Sequence, residues 1–233
     1  MPTVLVTGAN GGIGSALVQR LLKEDGYRVI GVTRPKPISD DRAHVDGNER
    51  FIQKPVDLSI YDEILELEQY IAERKLHFDW LVISHGFIDD ETVLENQRPE
   101  DIFKTFQLNI LSVIYLCRLL VRHMKSGGGI ITVSSTAGLT ANGRYAAYSA
   151  SKAAVNNFMQ ALARSRPGLS FFAVCAGPTK TPMLQKIGGN PATAQEASVV
   201  VELLLQMMER HTDNKSGDIV VIRDGRVTLA GRL

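Results

Sequence analysis

Seven short apolar runs, at residues 4–6, 28–32, 51–56, 80–83, 130–134, 171–175 and 219–222, recur along the chain without alternating polar and apolar positions. A strand with one face in water alternates, whereas a strand covered on both faces does not. Between the runs lie segments with helical spacing, such as Ile13, Leu17 and Leu21, or Ile64, Leu67 and Ile71. Alternating strands and helices place successive strands in parallel, with the helices packed on the faces of the sheet. The sequence therefore predicts an α/β fold, one doubly wound parallel sheet of about seven strands with helices on both sides.

A chain of 233 residues, 44% of them hydrophobic, is of ordinary size for one such domain. It shows no repeat, low-complexity stretch or interdomain linker, so a single domain over residues 1–233 is expected. Its 26 basic and 25 acidic side chains nearly cancel, which leaves no global field for nucleic acid or an anionic membrane. No apolar stretch is seen that approaches the roughly 18 residues of a membrane span, and the opening Met1 to Val6 reads as a core strand rather than a signal peptide. A cytoplasmic chain with no membrane contact is expected. Cys117 and Cys175 each sit in an apolar segment, as buried thiols in a reducing compartment do. With five scattered histidines, they provide no metal-ligand spacing.

The longest helical candidate covers residues 99–125, opening with Pro99 in the first turn and closing before Gly127. Its apolar residues, Phe103, Phe106, Leu108 and Ile110 among them, wrap more than one face. It is expected to pack on the sheet and against a second subunit. The loosest segments are residues 35–48 and 178–193. The second follows a strand's carboxyl end, where doubly wound sheets place ligands, and is the predicted substrate loop.

The first strand runs into Thr7-Gly8-Ala9-Asn10-Gly11-Gly12-Ile13-Gly14 and then the first helix. Glycines let such a turn approach a pyrophosphate closely, and helix N-terminal amides meet its charge. A tight structural connection is the alternative, but the place directly after strand one favours a dinucleotide.

Tyr148 and Lys152 lie four positions apart in the helical segment 146–164, so both project from one face. A phenol, with a pKa near 10, needs a neighbour that stabilises phenolate to act as acid and base at neutral pH, and an ammonium does so. Ser135, at the end of a predicted strand, can hydrogen-bond the same substrate oxygen.

With these residues the chain resembles the short-chain dehydrogenase/reductase family over essentially its whole length. The family's Thr-Gly-x-x-x-Gly-x-Gly falls on Thr7, Gly8, Gly12 and Gly14, and its Ser, Tyr and Lys fall on Ser135, Tyr148 and Lys152. The 13 positions between Ser135 and Tyr148 are the family's usual separation. The resemblance implies a Rossmann-like fold and hydride transfer between a nicotinamide and a carbonyl or alcohol, with Tyr148 as general acid/base. It also implies that Asn109 distorts the long helix and holds a water in a relay to the lysine. Asn10, Ile13, Leu58 and Thr179 join the implied cofactor site, with Asp57 at the adenine and Thr181 at the nicotinamide carboxamide. Asp57 and Thr181 also read as caps or turn formers. Two departures stand out: Ser84-His85-Gly86 replaces the family's Asn-Ala-Gly, and Ala176-Gly177-Pro178 replaces its Pro-Gly. Gly86 and Gly177 remain, and His85 reads better as a structural hydrogen-bonder than as a cofactor ligand.

After the second strand an acidic residue would accept the ribose hydroxyls, whereas a basic one would attract a 2′-phosphate. Here Thr33 takes the acidic position and Arg34 follows, so NADP(H) is expected over NAD(H). A homodimer or homotetramer acting on a small carbonyl or alcohol is expected. A dinucleotide-sensing protein without turnover, and a nucleotide-sugar epimerase or dehydratase, remain as alternatives.

Overall fold

In a computed structural model that describes residues 1–24, 26–35, 50–140 and 143–231, the chain forms one eight-stranded sheet. Its strands are β1 (Thr3–Thr7), β2 (Arg28–Thr33), β3 (Phe51–Pro55), β4 (Phe78–Ile83), β5 (Met124–Ser135), β6 (Ser170–Ala176), β7 (Ile219–Arg223) and β8 (Arg226–Gly231). They lie in the order β3-β2-β1-β4-β5-β6-β7-β8, with every pairing parallel except that of β7 with β8. The order reverses between β1 and β4, the crevice where such sheets bind ligands beyond their carboxyl ends.

Both faces of the sheet are covered, which explains the missing polar alternation. Val4 and Val6 point into one core cluster, beside Leu17 of α1 (Gly12–Lys23) and Leu204 of α7 (Ala197–Met208). Leu5, between them, points into the other, beside Ile64 of α2 (Tyr61–Glu73), Leu116 of α4 (Ser112–Leu120) and Val155 of α5 (Ala146–Ser165). Side chains that alternate across a strand are here apolar on both sides. Cys117 and Cys175 are both buried free thiols.

The eighth strand was not expected. Five of its six residues are exposed, so it lacks the buried apolar run that marked the others. Its signal is the turn Asp224-Gly225, whose φ angles of 52° and 72° suit the two-residue hairpin turns that join antiparallel strands.

The long helix is interrupted and shorter than expected. α3 (Pro99–Phe106) starts with Pro99 at its N-terminus, a π-helical turn follows at Gln107–Leu111, and α4 leads into a final 3-10 turn at Val121–His123. Met124 and Lys125 belong to β5 instead, because Met124 pairs with Phe78 while Trp80 pairs with Gly129. The extra residues form a bulge carried by Gly127 to Gly129, so these glycines bend a strand rather than stop a helix. The expectation that no apolar stretch reaches membrane-span length is also corrected. Residues Pro99–His123 are long and apolar enough, with 56% of their apolar 18-residue window buried in the fold. All but Pro35 of the loose segment 35–48 falls outside the described residues.

Candidate active site

A cleft of about 840 Å³ runs along the carboxyl ends of the strands, a volume near the upper end for small-molecule sites. Every site residue expected from the sequence lines it except Thr7, Gly14 and Asn109, which lie one layer behind.

At the turn after β1, Gly8 has φ +66°, and a Cβ there would come within 2.9 Å of the His85 backbone. Gly14 packs directly on the Gly8 carbonyl, leaving no room for a side chain. α1 is preceded by Gly11 at its N-cap, with no side-chain cap and no acidic residue in its first turn. Its first amides have no partner within the helix, so they and the helix dipole are left for an anion. These residues fit a dinucleotide pyrophosphate. Asn10 and Ile13 line the same stretch.

The adenosine end is set by the ends of β2 and β3. Thr33 is buried, with its hydroxyl 3.5 Å from Gln53 Nε2, and Arg34 follows it into the cleft. Asp57 Oδ1 accepts hydrogen bonds from the Ser59 amide at 2.9 Å and hydroxyl at 2.6 Å, so Asp57 forms a turn as well as lining the cleft. Burial pushes its carboxyl up, but the Ser59 bonds and the nearby Arg34 and Lys104 charges prevail and hold it below the usual range. Leu58 is buried beside it.

At the other end β5 delivers Ser135 while the first turns of α5 deliver Tyr148 and Lys152. The Lys152 ammonium lies 5.8 Å from the centre of the Tyr148 ring and donates to the Val133 carbonyl at 3.1 Å. Burial pushes the phenol up to about 12, opposed by its hydrogen bond to Ser135. Burial also pulls the lysine down to about 8. The expectation that Lys152 lowers the phenol's pKa is therefore not met, because burial sets the shift and its direction is upward. Burial outweighs the Ser135 hydrogen bond, and the phenol stays protonated at neutral pH.

Behind the cleft, His85 Nδ1 lies 2.7 Å from Thr7 Oγ1 and Nε2 lies 2.7 Å from Ser112 Oγ. Ser112 gives its own proton to the Leu108 carbonyl at 2.7 Å, so Nε2 carries the ring proton and Nδ1 accepts from Thr7. Burial first, then the Lys152 charge, pull His85 down to about 3. A neutral imidazole thus ties β1 to α4. Asn109 sits inside the π turn with its Oδ1 accepting from Phe87 N at 2.7 Å. Its Nδ2 donates to Phe87 O at 2.8 Å and to Ser151 Oγ at 2.9 Å. Gly86 packs between Asn109 Oδ1 and Lys152 Nζ.

The expected substrate loop closes over the turn. Thr181 caps α6 (Pro182–Lys186) through a 3.3 Å bond from Leu184 N, and its side chain sits where a Cβ on Gly12 would be. Thr179 donates to Gly177 O at 2.9 Å. Sequence reasoning missed the residue that holds this segment down. Gln195 is buried, and its Nε2 reaches Thr179 Oγ1 at 3.3 Å and Ile222 O at 3.2 Å. Its backbone bonds Pro178 O and Lys180 N, each at 2.9 Å. A glutamine in a polar stretch carries no signature by itself; only the fold brings it beneath the loop.

The model of the short chain dehydrogenase family matches residues 2–192. A 3beta-hydroxysteroid dehydrogenase of Mediterraneibacter gnavus is 32% identical over 190 residues, covering 78% of this chain and 68% of that one. A 4-hydroxyisoleucine dehydrogenase complexed with NADH superposes with a TM-score of 0.84 at 20% identity, covering 96% of this chain and 97% of that one. A short chain dehydrogenase from Burkholderia cenocepacia in complex with NADP superposes with a TM-score of 0.78 at 24% identity, covering 95% and 96%. With a family match over most of its length and the family's fold, the chain belongs to the short-chain dehydrogenases/reductases.

Proposed function

We propose that the protein is an NADP(H)-preferring oxidoreductase that reduces a small carbonyl compound or oxidises the corresponding alcohol. The observation that carries this reading is the convergence of Ser135, Tyr148 and Lys152 on the same cleft as the uncapped glycine turn of α1. Bound at that turn, a nicotinamide coenzyme would supply or accept the hydride. The protein's own side chains do the rest. Ser135 donates a hydrogen bond to the substrate oxygen, and Tyr148 gives it a proton as negative charge develops. Burial keeps the phenol protonated, which suits the reductive direction. Lys152, fixed on the Val133 carbonyl, holds a positive charge beside the phenol when protonated. Asn109 and His85 position the segment after β4. Coenzyme preference rests on Arg34 in the cleft and the absence of an acid at Thr33.

A homodimer or homotetramer is proposed from α3, where Phe103 stands 62% exposed; light scattering that returns the single-chain mass of 25.6 kDa would refute it. The catalytic reading is tested by NADPH consumption over a broad carbonyl panel. Carbonyl-dependent oxidation of the coenzyme is expected. Tight NADPH binding with no turnover on any member would instead favour a coenzyme-sensing protein.

A further inference from the structure

We infer that Arg223 holds an anionic group of the substrate, so that the compound reduced is a carbonyl acid with an apolar body. The inference rests on the proposed oxidoreductase reading and adds the substrate class to it.

Four charged side chains line the cleft among the described residues: Arg34, Asp57, Lys152 and Arg223. Arg34 and Asp57 stand together at the adenosine end, and Lys152 is held on the Val133 carbonyl. Arg223 is the cation that these roles leave over. It ends β7, two strands beyond β5, whose last residue is Ser135. At about 4.8 Å per strand, that places it on the order of 10 Å from the reacting oxygen. The glycine turn follows β1, four strands from β7, or roughly 19 Å by the same spacing. Arg223 is therefore too far from the turn to serve the coenzyme's pyrophosphate, and farther still from a 2′-phosphate at Arg34.

Its side chain is directed by the neighbouring strand. Gly177 follows β6, and a Cβ there would lie 2.9 Å from Arg223 Cγ, so the bare backbone lets the arginine stem lie across the cleft floor. Its guanidinium pairs through Nε with the adjacent Asp224 at 3.7 Å, and both side chains are about two-thirds exposed (64% and 67%). A pair that long and that exposed contributes little, and the two terminal nitrogens offer a planar fork that matches a carboxylate or phosphate. The same cleft is also lined by Tyr145, Met183, Leu184 and Ile187, which suit the apolar body of such a substrate.

The test uses 4-oxopentanoate, 6-oxoheptanoate and 8-oxononanoate, each beside its methyl ester, with NADPH and the full chain. Wild type is expected to prefer the acid of the better-fitting length by roughly ten- to a hundredfold in kcat/KM, the worth of a charge-assisted hydrogen bond. Arg223→Ala should bring that acid-to-ester ratio to near one through KM, and Arg223→Lys should restore part of it. An acid-to-ester ratio near one in wild type, or one that Arg223→Ala leaves in place, overturns the inference. If none of the six compounds is reduced, the broad carbonyl panel decides whether the proposed activity fails. Calorimetry on the NADPH-loaded protein then decides the role of Arg223 separately. Acid binding that Arg223→Ala removes supports it, and absent or equal binding of acid and ester overturns it.

Discussion

The two halves of the cleft are built from different materials. The half at β1 and β2 is made of backbone: Gly8 at φ +66° pressed on the His85 main chain, Gly14 on the Gly8 carbonyl, and the uncapped amides of α1. The half at β5 to β7 is made of side chains, with Ser135, Tyr148 and Lys152 placed by burial and hydrogen bonds. A backbone cradle fits a group shared by every dinucleotide, because it reads only phosphate and close approach. A side-chain site can be retuned residue by residue. The chemistry and its selectivity should thus be more sensitive to single side chains in the second half than in the first.

The largest expected effect lies at the chemical end. Tyr148→Phe should lower kcat by roughly 10²- to 10⁴-fold, the range for one general acid, while leaving NADPH affinity within a few-fold. Steady-state rates and a coenzyme titration read both quantities, and activity near wild type would remove Tyr148 from the mechanism. Next comes the one side chain that gives the backbone half its selectivity. Arg34→Ala should reduce the preference for NADPH over NADH by about ten- to a hundredfold, and Thr33→Asp should push the ratio further toward NADH. Equal weakening of both coenzymes, or a wild-type preference for NADH, would make Arg34 an ordinary surface residue.

A smaller effect separates the halves directly. Gln195 anchors the segment carrying Thr179 and Thr181 but does not line the cleft. Gln195→Ala should weaken NADPH several-fold, about 0.5–1.5 kcal/mol for the bonds lost, and leave 2′-phospho-ADP-ribose, which lacks the nicotinamide, unaffected. Equal loss for both ligands would mean that Gln195 supports the fold at large.

The last effect is a slope rather than a rate. Lys152 falls from 10.5 to about 8 in the folded chain, so between those pH values the unfolded chain binds the additional proton. Stability contributed by this group should rise as pH climbs through that window. Urea unfolding should show wild type gaining stability relative to Lys152→Met from pH 8 to pH 10; no change with pH would mean the ammonium is not desolvated.

Legibility in the sequence follows the same division. The sheet was readable because Val4, Leu5 and Val6 must all be apolar when helices cover both faces. The glycine turn was readable because backbone strain leaves few alternatives to glycine at Gly8. β8 was not, since an exposed edge strand needs no apolar run, and only Asp224-Gly225 betrayed it. The end of the long helix was misplaced because Gly127 to Gly129 stop a helix and bulge a strand equally well, and only pairing with Phe78 and Trp80 decides between them. Tyr148 and Lys152 were readable as a pair, but the sign of the phenol's shift was not. Spacing reports which groups are neighbours, whereas burial, which here dominates, belongs to the whole fold.

The most direct test of the account follows the transferred hydrogen. NADPH deuterated at nicotinamide C4, supplied with a reducible carbonyl compound, should yield an alcohol carrying deuterium on the former carbonyl carbon and solvent-derived hydrogen on oxygen. Wild type should form it from one of the two C4 positions, and Tyr148→Phe should form it far more slowly at matched coenzyme occupancy. Product without deuterium on carbon, or equal rates for the two proteins, would contradict a hydride transfer completed by the Tyr148 proton.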